Sequence, residues 1–293
     1  MMSVNNQLYG YDKYLSLLTN LYNTKSLPNS LIISGNAGIG KKTFISHFFR
    51  EILFREQRFF SRSINFENLN EGNIEFIKYI KKNETNNINI ESVREIIDFC
   101  KKKSFNDYPR FIVIRNIENF NINSINSFLK ILENPPENVY FILIRNSEFE
   151  IYKTILSRCA NIKINFSSFE LDNFYKKLLT DNKIYNFKNN NFFSNSDTPG
   201  IKIKKTLYIK QNHLEHYDIY SLVLFCLNDF KLNKNFKSLD FGIQFAKFYF
   251  FLKYKDNFKK YNLIYINFKN SINNFFKFNV SINHSIEIFK NCR

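Results

Sequence analysis

The run Gly35-Asn36-Ala37-Gly38-Ile39-Gly40-Lys41-Lys42-Thr43 constrains this chain more than any other stretch. Leu31-Ile32-Ile33-Ser34 before it has the length and apolarity of a buried strand, and Phe44-Ile45-Ser46-His47-Phe48-Phe49 after it reads as a helix. Strand, glycine loop and helix in that order wrap backbone N–H groups and a helix N-terminus around phosphate oxygens, with a lysine reaching the outer ones. Gly35, Gly38, Gly40 and Lys41 are therefore the candidate phosphate-binding residues. The pattern also requires Ser or Thr directly after the lysine, to hold Mg²⁺. Lys42 occupies that position, and Thr43 comes one residue late.

The elements around the loop predict its surroundings. Leu15, Leu17, Leu18, Leu21 and Tyr22 recur at near-helical spacing, and residues 44–60 continue as a helix with Ile52, Leu53 and Phe54 apolar. Ser61 to Asn87 is irregular and rich in Asn and Glu, with an alternating strand candidate at Ile74–Ile80. Ile90–Cys100 has helical periodicity, and Asp107-Tyr108-Pro109 turns into the apolar strand Phe111–Ile114. Ser124–Glu133 is a helix stopped by Pro135-Pro136, and Tyr140–Ile144 is a second buried strand. Ile162–Phe166 alternates as an edge strand does. Strands alternating with helices predict a parallel sheet covered on both faces. Beyond Phe166 the chain becomes helical, with Phe169–Leu179 first and an Asn-rich stretch to Asn195. From Leu207 onward there is no proline and only Gly242, so an all-helical C-terminal domain is expected, its aromatic stripes forming core.

ATP hydrolysis on such a loop needs a carboxylate at the end of a buried strand, to hold Mg²⁺ and its waters, and often a Glu beside it. Phe111–Ile114 is the natural strand, yet Arg115-Asn116-Ile117-Glu118 follows it. A guanidinium stands where Asp is needed and an amide where Glu is needed; Glu118 lies too far along to be the same ligand. Both metal positions are lost, which argues against hydrolysis while leaving nucleotide binding without metal open.

Composition adds bounds rather than identity. The 293 residues allow about two domains, and 44% hydrophobic residues suffice for a core. No apolar run reaches the ~20 residues of a membrane span, and the N-terminus lacks the pattern of a secretory signal, so a cytoplasmic chain is expected. Cys100, Cys159, Cys226 and Cys292 lie far apart, without metal-ligand spacing, and are expected as reduced thiols; no metal site is expected. The net charge of +16 invites phosphate contacts, but lysines spread through a chain rich in Asn, Ile and Phe equally reflect AT-rich codons.

Four segments together resemble the bacterial clamp-loader family of AAA+ ATPases, in particular its delta-prime type. Leu27–Gly35 is similar to the family's "LPHAxLLxG" entry into the loop, and Ile90-Glu91-Ser92-Val93-Arg94 looks like the helix before the acidic strand. Ser127–Pro136 is close to "ALLKxLEEPP", with Asn134 for the second Glu, and Ser157-Arg158-Cys159 matches "SRC". The resemblance covers roughly residues 7–166 and implies an α/β fold: a RecA-like parallel sheet flanked by helices (residues 1–166), a small helical lid (167–205) and an all-α collar (206–293). It implies a non-hydrolysing subunit in a hetero-pentameric ring with gamma/tau-type and delta-type subunits, loading a sliding clamp onto primed DNA. Arg158 would enter the ATP site of a neighbour as an arginine finger, with Ser157 positioning the turn and Cys159 a small packed residue. Thr198-Pro199-Gly200 falls in the family's sensor 2 region, with Ile201 where an arginine is expected and Lys202 next. Residues 51–90 hold no cysteine, so the family's zinc module is not expected. The alternatives are an ATP-hydrolysing gamma/tau-type subunit and an unrelated P-loop scaffold or DNA-binding protein.

Overall fold

The structure is a computed structural model, and it describes residues 7–55, 77–80, 88–101, 109–185, 187 and 192–292. The extension of the second helix to residue 60, the irregular segment 61–76 and 81–87, the start of the Ile74–Ile80 strand and the turn at Asp107-Tyr108 lie outside the described residues.

The chain forms two compact units, one comprising residues up to Lys183 with Thr198–Gly200, the other Ile184–Asp197 with Ile201–Arg293. The first is built on five strands: β1 (Ser30–Gly35), β2 (Ile77–Ile80), β3 (Arg110–Arg115), β4 (Val139–Asn146) and β5 (Ala160–Lys163). All pair in parallel, in the order β2-β3-β4-β1-β5. α1 (Asp12–Asn23) precedes the first strand; parallel strands need crossovers, and the helices between them are α2 (Lys41–Arg55), α3 (Ile90–Lys101), α4 (Ile122–Glu133) and the single turn α5 (Lys153–Leu156).

Successive residues of a strand face opposite sides, so each apolar strand feeds two cores. Leu31, Ile33, Phe111, Val113, Ile142 and Ile144 pack with Phe44 and Phe48 of α2 and Leu18 of α1. Ile32, Ile112, Ile114, Phe141 and Leu143 pack with Val93 and Ile96 of α3 and Ile125, Phe128 and Leu132 of α4. Burial on both faces is why the central strands read as unbroken apolar runs. This is the α/β architecture expected for an AAA+ domain.

β5 is an edge strand, as its alternation predicts, but it runs over Ala160–Lys163 rather than 162–166. Its partner β1 ends at Gly35 and opens into the glycine loop; the last pair is Ser34 with Lys163, so the ladder stops there. Helix α6 (Ser168–Asp181) then starts with a reciprocal cap: Ser167 N–H donates to Glu170, and Glu170 N–H donates to Ser167 Oγ.

The second unit is helical: α7 (Pro199–Gln211), whose first residues belong to the first unit, α8 (Ile219–Asn233), α9 (Phe236–Phe278) and α10 (Asn283–Lys290). Its aromatic stripes are core, with Phe230, Phe245, Phe250, Phe268 and Phe289 buried. α9 is interrupted at Asn257, whose backbone is extended and whose Oδ1 accepts from Lys260 N–H at 3.1 Å, capping the helix that resumes. Lys205 is buried and paired with Asp197 at 2.7 Å. No described helix is long and apolar enough to cross a membrane.

Candidate functional sites

The glycine loop leaves β1 at the carboxyl end of the sheet, where open parallel sheets bind ligands. Gly38 and Gly40 have φ of +74° and +103°, values that L side chains adopt at a cost, so these glycines set the curvature of the loop. Its carbonyls carry internal donors. Lys41 Nζ donates to Gly35 O at 2.5 Å and to Asn36 O at 2.7 Å. Thr198 Oγ1 donates to Ala37 O at 2.6 Å, Gly200 N–H to Gly38 O at 3.0 Å, and Tyr11 OH to Ile39 O at 2.9 Å. The region that the resemblance assigned to sensor 2 therefore sits directly on the loop. A Cβ at Gly200 would overlap the Gly38 carbonyl oxygen, so glycine is what lets the two backbones meet.

Burial lowers the Lys41 ammonium to about 8, partly offset by the carboxylates of Glu118 and Glu148. Those two acids were missed as neighbours of the loop. Glu118 follows β3 on a single 3₁₀ turn, Ile117–Asn119, and its Oε2 accepts from Asn146 N–H at 3.4 Å, at the end of β4 opposite Gly35. A side chain four residues past Ile114 reaches the site because Asn116 takes a left-handed turn, φ 58°, and its amide donates to Glu118 Oε1 at 3.2 Å.

The residues present do not fit Mg²⁺ at either expected position. Lys42 is exposed at the start of α2, and Arg115 lays its guanidinium over the Tyr79 ring, 5.2 Å from the centroid. Two cations stand where oxygen ligands are needed.

The second site is the turn between α5 and β5. Ser157 N–H bonds to Lys153 O at 3.0 Å and Arg158 N–H to Ile155 O at 3.2 Å, closing the turn. Arg158 donates from Nε and from Nη2 to Glu133 Oε1, at 2.9 and 2.5 Å, and from Nη1 to Thr154 O at 3.0 Å. Ser157 Oγ donates to Thr154 O at 3.1 Å and lies 3.4 Å from Arg158 Nη1. The guanidinium remains accessible, its side chain 33% exposed. Glu133 ends α4, so the third and fourth matching segments of the sequence are in contact. Cys159 is half-buried, and burial pushes its thiol up to about 11, which keeps it protonated and un-nucleophilic.

The two sites are not brought together. β5 begins at Ala160, opposite Leu31 near the start of β1, whereas the glycine loop follows the far end of β1 at Gly35. Strands rising about 3.3 Å per residue separate Arg158 from its own loop by roughly 15 Å along the sheet.

A family model described as "DNA polymerase III, delta subunit" matches residues 10–168, more than half of the 293 residues. A DNA polymerase III subunit gamma from Buchnera aphidicola subsp. Schizaphis graminum is 24% identical over 189 residues, covering 59% of this chain and 48% of the relative. A subunit delta′ from Buchnera aphidicola subsp. Baizongia pistaciae is 34% identical over 80 residues, covering 27% of this chain and 24% of the relative. The chain thus spans less than half the length of either relative. Among solved structures, a DNA polymerase III gamma subunit-related protein from Thermotoga maritima aligns with 94% of this chain and 97% of its own, at 15% identity and a TM-score of 0.48. The chain belongs to the DNA polymerase III delta-subunit family, a family of clamp-loader subunits.

Proposed function

We propose that this chain is a delta-prime-type clamp-loader subunit that does not hydrolyse ATP and that lends Arg158 to the ATP site of a neighbouring subunit. The observation that carries the reading is the placement of Arg158 at the strand-start end of the sheet, while its own glycine loop lies beyond the strand ends. A guanidinium there cannot serve its own loop, but it can meet a phosphate presented by another chain. Permanent charge and a planar fork suit it to charge developing on a transferring phosphoryl group.

Two further features support the non-hydrolysing half. Lys42 and Arg115 put positive charge at both Mg²⁺ positions, and Lys41 Nζ, the donor that would reach phosphate, is already bonded to the Gly35 and Asn36 carbonyls. ATP would have to draw Lys41 away from Gly35 and Asn36 and would still lack a held metal. In this reading residues 167–205 act as a lid, and residues 206–293 as the collar that joins a pentameric ring with gamma/tau-type and delta-type subunits. The ring opens a sliding clamp and places it on primed DNA in the cytoplasm.

The competing reading, a gamma/tau-type motor, is favoured by the longer alignments to gamma relatives. Turnover of Mg·ATP by the isolated full chain separates the two. The proposal expects none above background, with DNA-stimulated turnover appearing when the partner subunits and clamp are added. Steady turnover by the chain alone would overturn it in favour of the motor.

A further inference from the structure

We propose that Glu133 is the positioning residue of Arg158, holding one edge of the guanidinium so that the remaining Nη2 N–H faces a phosphate of the adjoining subunit. The inference rests on the reading of Arg158 as a finger in trans and adds the residue that aims it. Arginine has five N–H donors in a rigid plane. Glu133 takes the Nε–Nη2 side with a single oxygen, Oε1, and Nη1 donates to the Thr154 carbonyl and, at 3.4 Å, to Ser157 Oγ of the same turn. Nη2 makes one of its two bonds in this way, which leaves its second N–H beside Nη1 for an incoming anion.

The two holders come from different elements. Glu133 is the last residue of α4, fixed by Leu132 and Phe128 in the core, and Thr154 lies on α5, fixed by Ile155. An arginine free to rotate would have to lose that freedom on meeting the phosphate; one held from two sides has already lost it. The pair is half-exposed, 33% for Arg158 and 46% for Glu133, and exposed pairs add little to folding. Its removal can therefore be read in the chemistry rather than in stability.

The test uses the full chain in a loader reconstituted from its own partner subunits, with clamp and primed DNA, and follows ATP turnover. Arg158→Ala sets the Arg158-dependent part of kcat. Glu133→Ala is expected to lower that part about tenfold, the usual scale for loss of an orienting partner, with KM for ATP, ring assembly and Tm unchanged. Glu133→Gln keeps an oxygen at Oε1 and is expected to restore most of it. The double variant is expected to be no slower than Arg158→Ala. Wild-type kcat with Glu133→Ala, a Glu133→Gln as slow as Glu133→Ala, or an additive double variant would overturn the role of Glu133 while leaving the finger intact. An Arg158→Ala variant with full turnover would instead overturn the finger, and the inference with it.

Discussion

At the scale of single residues, the chemistry turns on where charges are placed. Lys41 is buried against two backbone carbonyls, and its ammonium is held at about 8 rather than its ordinary value. Below about pH 8 folded and unfolded chains both carry the charge, and the folded state bears the full cost of burying it. Between about 8 and the ordinary 10.5 the unfolded chain binds more protons, so stability rises with pH across that window. NMR titration of the Lys41 side chain should give a midpoint near 8; a midpoint near 10.5 would mean that the ammonium is solvated. Motif spacing pointed to the loop glycines and Lys41 as candidates, because glycines and a lysine at fixed offsets have few structural substitutes, and the family resemblance added Arg158. It did not reveal Glu118 and Glu148 as neighbours of Lys41, since their approach depends on a left-handed turn at Asn116 and on the end of β4. Nor could it pair Glu133 with Arg158 across 25 residues, as that contact exists only once α4 and α5 lie on one face of the sheet.

At the scale of elements, the contact of Thr198-Pro199-Gly200 with the loop is the feature whose removal should be felt most locally. Thr198→Val removes the donor to Ala37 O and should cost about 1 kcal/mol, whereas Gly200→Val forces a side chain onto the Gly38 carbonyl and should cost about 1–3 kcal/mol. Thermal melts of both variants check the order; equal Tm values for the two and the parent would show that the contact carries no load. In the helical unit, Asp197→Ala leaves Lys205 buried without its carboxylate and should lower stability by about 3–5 kcal/mol in denaturant unfolding. Replacing both by apolar residues should recover most of that loss, since two buried charges carry a large desolvation cost. The strands and helices of the first unit were legible because strands buried on both faces are apolar throughout and the amphipathic helices keep their period. β5 was legible only in part: its residues are mostly exposed, and its length is set by where β1 opens into the loop. The break at Asn257 was not legible, because Asn is common throughout this chain and the apolar period runs on across it.

At the scale of the whole molecule, the first unit supplies two surfaces at opposite ends of one parallel sheet. One end carries a glycine loop bonded within the chain and flanked by Lys42 and Arg115; the other carries a pre-set arginine. Under the proposed function, a subunit built this way contributes to ATP chemistry only in an assembly. The net charge of +16 adds a separate expectation, that any contact with DNA made by the chain weakens steeply with salt, as phosphate-driven binding does. Fluorescence anisotropy on primed DNA across a salt series would show it, and binding indifferent to salt would assign the charge to solvation alone. Whether catalytic charge is lent rather than used at home is read from DNA- and clamp-stimulated ATP turnover of the reconstituted loader. Parent chain, Arg158→Ala and omission of the chain would be compared. Arg158→Ala is expected to lower kcat clearly, with the ring still assembled and KM unchanged. Turnover equal to the parent with Arg158→Ala would contradict a lent charge and leave the chain a scaffold.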